Sequence, residues 1–180
     1  MAGYERVMIL GGPGSGKSTL ARKFGARAGL PVIYLDRLFF GPDWQERPAE
    51  EFRHDHDQAI AAPKWVIDGN YSHVWLSRSH RAQLIIFIDL PTGLRMWRIY
   101  WRILRNYGRA RAEMPKGCVE RFDPEFLRYA REYEQNGRLK VLRLIELCKE
   151  EGRPRCVILR STQAVAWFER NYLLGGPNAQ

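Results

Sequence analysis

The sequence predicts an α/β protein in which helices cover both faces of a parallel β-sheet. Five short apolar runs rich in strand formers recur along the 180 residues, and the stretches between them have helical patterns. A glycine-rich loop lies between the first apolar run and the first helical stretch. Polar residues follow the runs, where parallel strands end and ligands collect. At this length, residues 1–180 are expected to form a single domain.

The elements are predicted in order from apolar runs and from start and stop signals. The predicted strands are residues 7–10, 32–35, 65–68, 84–88 and 156–159. A first helix opens near Lys17 and has stop signals at Gly25 and Gly29. A second helix, over residues 51–62, follows Pro48 and is closed by Pro63.

The second half of the chain carries stronger helix signals. Asp123 is a cap with Pro124 at the first helical position, and that helix is predicted to end near residues 136–137. Another helix is expected to follow as far as Gly152. Ser161 or Thr162 caps a last helix that ends near residue 175, after which a frayed tail is expected.

Composition narrows the function classes. The chain has 29 Lys plus Arg against 20 Asp plus Glu, a net charge of +9 that favours an anionic partner. Its three cysteines show no CxxC spacing, so neither a disulfide framework nor a zinc site is indicated. There is no apolar leader, and the longest apolar run, near residues 84–90, is too short to cross a bilayer. A cytoplasmic protein is expected.

The glycine-rich loop is the most specific motif. Residues 11–19 read GGPGSGKST and fit the Walker A pattern GxxxxGK(S/T) between a strand and a helix. Its glycines let successive backbone N–H groups point at one anion, and the following helix adds its positive end. Lys17 is expected at the β- and γ-phosphates of ATP, Ser18 on Mg²⁺ and Thr19 at the α-phosphate. The nucleotide-binding residues are Gly11, Gly12, Pro13, Gly14, Ser15, Gly16, Lys17, Ser18 and Thr19.

Carboxylates at strand ends are candidates for the rest of the chemistry. Asp68 follows the third strand run and is preferred to Asp89, after the fourth, as a second magnesium ligand. Asp36 ends the second strand and is a candidate to deprotonate an attacking hydroxyl; a helix cap or a surface turn is the alternative. The acceptor is expected to contact Asp36, Trp44, Gly69, Asn70 and Tyr71.

Five arginines form a regular row between residues 95 and 109. Their spacing of 3, 4, 3 and 4 places them on one face of a predicted helix, where like charges repel unless an anion joins them. The triphosphate with its transferring phosphoryl group is one such anion, and a nucleic-acid backbone is another; an over-basic surface is the alternative. Catalytic roles are predicted for Arg102, Arg105 and Arg109, acceptor contact for Arg98, and nucleotide contact for Arg109 and Arg160.

In its longer motifs the sequence resembles the FlaR-related "DNA topology modulation" proteins, small P-loop kinases similar in fold to adenylate kinase. The resemblance covers nearly the whole chain. It depends on GGPGSGKSTLARK, on YLDRLFF with Trp44 downstream, on WVIDGNY from Trp65, and on MPKGCVERFD from Met114.

The resemblance implies a P-loop NTPase three-layer sandwich whose five parallel strands lie in the order 2-3-1-4-5. It also implies an acceptor-binding insert around residues 37–62 and an arginine-bearing lid around residues 105–121. Asp68 and Gly69 match the Asp-Gly that adenylate kinases carry near magnesium. The chain has Asn70 and Tyr71 where adenylate kinases have Pro-Arg.

Two functions are therefore predicted. The leading one is an ATP- and Mg²⁺-dependent phosphotransferase, kinase-like, acting on a small acceptor with a hydroxyl or phosphate group. The alternative is a nucleotide-regulated protein that binds DNA and modulates its topology without kinase activity. The sequence contains no helix-turn-helix, zinc finger or other base-reading module to support that alternative.

Overall fold

The computed structural model describes residues 3–110, 114–115 and 117–173. Five strands pair in parallel in the order β2-β3-β1-β4-β5. The α/β class and the strand order implied by the resemblance are confirmed. The strands are β1 (Arg6–Gly11), β2 (Val32–Tyr34), β3 (Trp65–Asp68), β4 (Leu84–Ile88) and β5 (Arg155–Leu159).

Helices occupy the connections between the strands. They are α1 (Lys17–Ala28), α2 (Leu35–Phe39), α3 (Ala49–Ala61), α4 (Trp75–Arg81), α5 (Thr92–Asn106), α6 (Pro124–Glu132), α7 (Gly137–Glu150) and α8 (Thr162–Phe168). The short helices α2 and α4 are additions to the sequence prediction, since neither is long enough to show a clear period. No helix within the described ranges has the length and apolar character needed to span a bilayer.

Two of the predicted helix caps form side-chain hydrogen bonds to the first turn of their helices. The Asp123 side chain accepts hydrogen bonds from the backbone N–H groups of Glu125 and Phe126, both at 3.0 Å, and so caps α6. The Ser161 hydroxyl accepts from the Ala164 N–H at 3.0 Å and caps α8. A π-helical turn, Glu169–Leu173, follows α8. The predicted end of this last helix and the frayed tail lie outside the described residues.

Alternate residues of β1 enter two different cores, one on each face of the sheet. Met8 and Leu10 pack in a cluster with residues of α3, α4 and α7. Val7 and Ile9 pack in a second cluster with residues of α1 and α8. Side chains point to opposite faces at successive strand positions, so one apolar run supplies both cores. The result is a helix, sheet, helix sandwich.

Helices α5 and α6 pack on each other beyond these two cores. Their contact is a small cluster of Met96, Ile99, Ile103, Leu127 and Ala130. The opposite flank of α5 stays in solvent, with Trp97 60%, Trp101 48% and Leu104 72% exposed. This helix therefore has an apolar stripe that the described fold does not cover.

The carboxyl end of β1 lies between the ends of its two neighbours. Ile9 is in register with Asp68 of β3, and Gly11 with Ile88 of β4. The chain passes from β1 to the edge strand β2, returns through β3 and then crosses to β4 and β5 on the other side of β1. In open parallel sheets such a reversal leaves a crevice where ligands bind.

Candidate functional site

The glycine loop between β1 and α1 is shaped by its neighbours. Gly14 and Gly16 have φ angles of 78° and 94°, which side chains with a Cβ rarely adopt. A Cβ on Gly14 would lie 2.4 Å from the carbonyl oxygen of Arg95. The Ser15 hydroxyl is buried and has no hydrogen-bond partner in the described part of the chain. The backbone N–H groups of a loop with this shape can point at one phosphate group, and the Ser15 hydroxyl is a further donor.

Three side chains from elsewhere in the chain hold the loop in place. The Asn70 amide accepts from the Gly11 N–H at 3.2 Å and donates to the Gly11 carbonyl at 3.0 Å. Arg95 donates to the Pro13 carbonyl at 3.2 Å, and Arg98 to the Ser15 carbonyl at 3.1 Å. These hydrogen bonds hold the loop in this shape. Asn70, predicted to contact the acceptor, is engaged with the loop.

A cleft of about 1170 Å³ opens over this loop and extends to the insert between β2 and β3. Two of its walls come from α5 and α6, and its floor is the loop itself. The predicted site residues that line it are Pro13, Gly14, Ser15, Gly16, Lys17, Ser18, Thr19, Asp36, Trp44, Asn70, Tyr71, Arg98 and Arg102.

Other predicted site residues lie outside this lining. Gly11 and Gly12 are buried below the loop, and Asp68 and Gly69 are buried at the end of β3. Arg105 and Arg109 are exposed and line a neighbouring pocket of about 520 Å³. Arg160 is the remaining one, 69% exposed beside Asp89.

Asp68 lies at the end of β3 with only 4% of its surface exposed. Below the turn that follows it is Arg78, a fully buried arginine of α4. Arg78 donates to the carbonyls of Gly69 at 3.2 Å and Asn70 at 2.7 Å. Burial lowers the pKa of Arg78, and the charge of Asp68 opposes that shift. Arg78 stays protonated at neutral pH and compensates the Asp68 charge.

Asp89, the rival carboxylate, is held in an ion pair. Its two oxygens accept from the Arg138 guanidinium at 2.7 and 2.9 Å, and Arg160 approaches one of them at 3.9 Å. The hydrogen bond that Arg138 donates to Asp89 raises the pKa of Arg138. Bidentate pairing of this kind is specific and strong, and here it joins α7 to the end of β4. Asp89 therefore has a structural role, and Arg160 lies beside it instead of in the cleft.

Asp36 lies in the cleft, but not at the end of a strand as the sequence analysis expected. β2 ends at Tyr34, and Asp36 belongs to the first turn of α2. Leu35, the first residue of α2, is fully buried, and its side chain lies close to Gly69. The Tyr71 hydroxyl donates to Asp36 at 2.8 Å. Burial, and then the charge of Asp36, raise the pKa of Tyr71, which keeps that proton in place.

Trp44 lines the cleft and also joins the insert to the predicted lid. Its indole N–H donates to the Val119 carbonyl at 3.1 Å, and its backbone N–H to the Cys118 sulfur at 3.3 Å. Its φ of 64° places it in a tight turn at Pro42–Trp44. Part of the predicted lid, residues 111–113 and 116, lies outside the described residues.

The arginine row is not one continuous face. α5 ends at Asn106, so Arg109 lies beyond the helix and the prediction of five arginines on one helical face is wrong for it. Arg95 is 2% exposed and donates four hydrogen bonds to protein oxygens. Arg102 pairs with the buried Glu120 at 2.9 Å, and Arg105 lies 5.6 Å from the ring centre of Trp101. The row changes from buried to exposed along its length.

Sequence reasoning missed several residues that line the cleft, among them Tyr129, Tyr133 and Glu120. Tyr129 belongs to α6, Tyr133 is the residue that caps the end of α6, and Glu120 precedes that helix. Tyr129 shares the cleft with Lys17 and Asp36 and is 53% exposed. Partial burial raises the pKa of Tyr129, while the charge of Lys17 lowers it and that of Asp36 raises it. The i, i+4 spacing of the tyrosines in the sequence indicated that they share one side of a helix. Only the packing of α6 on α5 directs that side to the glycine loop.

Comparison with solved structures shows the fold. A gluconokinase from Sinorhizobium meliloti 1021 is similar with a TM-score of 0.53 and 16% identity, over 95% of this chain and 90% of that chain. A sugar kinase from Janibacter sp. HTCC2649 aligns over 96% of each chain with 13% identity and a TM-score of 0.47. No protein-family model and no curated protein matches the chain. The likeness to the gluconokinase structure supports the α/β fold with five parallel strands in the order 2-3-1-4-5. The resemblance to the FlaR-related proteins stays a prediction.

Proposed function

We propose that this chain is an ATP- and Mg²⁺-dependent phosphotransferase that moves the γ-phosphoryl group of ATP to a hydroxyl group of a small acceptor. The observation that carries the proposal is one shared cleft. It is lined by Lys17 and Ser18 of the glycine loop, by Arg98 and Arg102 of α5, and by the Asp36 carboxylate. Phosphoryl transfer needs these three kinds of group: a phosphate cradle, cations around the transferring phosphoryl, and a base for the acceptor.

Each group has a role that its position supports. The loop N–H groups and Lys17 hold the β- and γ-phosphates, and Thr19 contacts the α-phosphate. Arg98 and Arg102 balance the charge that develops on the equatorial oxygens. The acceptor oxygen bonds to the γ-phosphorus, the bond from that phosphorus to the β,γ-bridging oxygen breaks, and ADP leaves. The acceptor proton passes to Asp36, whose other partner, Tyr71, keeps it oriented.

Ser18 and Asp68 are the residues that would hold Mg²⁺. A hydroxyl and a carboxylate are hard oxygen donors of the kind that Mg²⁺ prefers, with phosphate oxygens and water completing its shell. The donors fit by position, since Asp68 ends β3 in register with Ile9, two residues before the loop begins. When bound, the ion neutralises charge on the β- and γ-phosphates. Arg78 serves this site by fixing the turn after Asp68.

The test is phosphate transfer from radiolabelled ATP to a panel of nucleosides, nucleotides, sugars and sugar acids, with EDTA as the metal-free control. Lys17→Ala is expected to reduce both nucleotide affinity and transfer at least a hundredfold, because the loop loses its point charge on the phosphates. Lys64→Ala is the matched control, since Lys64 pairs with Glu5 before β3, away from the cleft. A Lys17→Ala protein with unchanged nucleotide affinity and turnover would exclude the proposal.

Nucleic-acid binding is the second candidate, and one observation favours it. Trp97 and Trp101 stack in parallel on the exposed flank of α5, with ring centres 6.2 Å apart, beside Arg105. Aromatic rings next to arginines suit the bases and phosphates of a single strand. Such binding would weaken with added salt by about one logarithmic unit per contacted phosphate and per tenfold salt. Absence of binding to single-stranded DNA at low salt would remove this candidate.

A further inference from the structure

Two parts of the cleft, called here its donor half and its acceptor half, carry opposite charge. The half formed by the glycine loop and α5 contributes Lys17, Arg98 and Arg102. The half formed by residues 36–75, all of which the structure describes, contributes Asp36 and Glu46 and no lysine or arginine. The donor end of the cleft thus suits phosphates, and the acceptor end does not.

Cations in the insert are directed away from the acceptor half. Arg47 donates to Asp55 at 2.7 Å and to Glu51 at 3.1 Å on α3. Arg37 is exposed and lies 5.5 Å from the ring centre of Tyr34. Neither of these arginines lines the cleft. A phosphate or carboxylate on the acceptor would meet the carboxylates of the insert without a cation from the same segment.

Among the described residues, four further cations that line the cleft belong to parts of the molecule outside the acceptor half. Arg98 donates to the loop at Ser15, and Arg102 pairs with Glu120. Arg121 lies 3.7 Å from Asp123 at the start of α6. Lys140 belongs to α7, which packs against β5 at the edge of the sheet opposite β2.

The acceptor half has an aromatic wall. Phe39 meets Phe40 edge to face with ring centres 4.9 Å apart, and Phe40 meets Trp44 at 5.4 Å in the same way. Tyr71 lies 4.9 Å from Phe39 and holds its hydroxyl on Asp36. These rings pack on one another and form a surface for a flat or apolar group. Flat rings stack on such surfaces, and cationic groups are attracted to their faces.

We propose that the acceptor is an uncharged or cationic alcohol with a flat ring, of which a nucleoside is the simplest example, and not a phosphorylated or carboxylated molecule. This inference rests on the proposed function, because it names the substrate class for the same cleft. The hydroxyl of the acceptor lies at Asp36, its ring packs on Phe39, Phe40 and Trp44, and Glu46 receives an N–H group or amine of that ring. An anionic substituent is rejected by the two carboxylates.

The test measures binding and transfer separately. Isothermal titration uses the chain saturated with a non-hydrolysable ATP analogue, so that nucleosides cannot occupy the donor half. The ligands are four nucleosides, their 5′-monophosphates, glucose and gluconate. We expect each nucleoside to bind at least tenfold more tightly than its monophosphate. Glu46→Arg is expected to reduce that ratio about tenfold, and Glu146→Arg, on the outer face of α7, to leave it unchanged.

The outcomes separate this inference from the proposed function. Nucleoside binding without transfer from ATP would support the acceptor class and overturn the phosphotransferase. Transfer that prefers monophosphates or gluconate would keep the phosphotransferase and overturn the acceptor class. A ratio that Glu46→Arg does not change, or no binding of any nucleoside, would also overturn the acceptor class.

Discussion

Arg95, near the start of α5, and Arg105, near its end, have the same side chain and opposite surroundings. Arg95 is buried among the glycine loop, α6 and the start of its own helix, and donates to the carbonyls of Leu90, Pro13 and Ala130 and to the Thr92 hydroxyl. Arg105 is exposed, and its described contact is the ring of Trp101. Three helical turns separate a structural arginine from a surface one.

The difference shows what helical spacing determines and what it does not. Spacing determines which side chains share a face, since it follows from 3.6 residues per turn. It does not determine how deep that face lies. The first turns of α5 pack against the glycine loop and α6, while its last turn extends past them into solvent. Arg98 and Arg102 lie between these extremes, where a charged side chain can reach a ligand.

The largest effect is expected at Arg95. Arg95→Met should lower the free energy of unfolding by about 3 kcal/mol, because buried carbonyls left without a donor cost about 1–3 kcal/mol each. Urea denaturation of the apo protein measures it. Arg131→Met, in the exposed last turn of α6, is the control and should change stability by at most about 0.5 kcal/mol. Equal losses of unfolding free energy in the two variants would show that Arg95 contributes no more to stability than an exposed arginine does.

The next effect is on catalysis at Arg98. Arg98→Met should lower kcat about a hundredfold, as loss of one preorganised donor to transition-state charge does elsewhere. Its unfolding free energy should change by less than about 1.5 kcal/mol, because a single hydrogen bond, to Ser15, is lost. Steady-state kinetics with saturating ATP measures the first quantity. Arg143→Met, on the exposed side of α7, is the control and should keep full activity. A stability loss in Arg98→Met as large as that of Arg95→Met would show that Arg98 is also a structural arginine.

A smaller effect is expected for the Arg102 and Glu120 pair. Arg102 is 23% exposed and Glu120 only 5%, so the pair is partly shielded from water. A double-mutant cycle of Arg102→Met and Glu120→Gln should give a coupling of about 1–2 kcal/mol in unfolding free energy. The double variant should be less destabilised than the sum of the single variants. Simple additivity would show that the contact contributes nothing to stability.

The smallest effect is expected at Arg105. An exposed cation over an aromatic ring stabilises by about 0.5–1 kcal/mol, so Arg105→Ala should lose no more than that and keep turnover within about twofold. Thermal unfolding and initial rates measure the two quantities. A tenfold fall in turnover would instead support the catalytic role that spacing predicted for Arg105, and would require the end of α5 to approach the phosphates.

The sheet could be predicted because its signals are local. Each buried strand is one apolar run, and the helix starts at Asp123 and Ser161 are caps whose partners lie within three residues. The same applies to the glycine loop, since φ preferences and the start of the helix belong to neighbouring residues. The end of β2 was misplaced because the apolar run continues into Leu35, which is buried as the first residue of α2, and apolar character alone does not separate a strand from a buried helical turn.

By itself, the sequence determined the fold class, the position of the glycine-rich loop and the candidate residues Lys17, Ser18, Asp36 and Asp68, because these depend on residue type and short-range order. Only the tertiary structure decided which residues have structural roles and which line the cleft. In the folded chain Asp89 pairs with Arg138, Arg95 is buried, and Tyr129 lines the cleft. Those assignments depend on partners far away in the chain, and burial and pairing of a charge are properties of the packed surroundings, which no local pattern encodes.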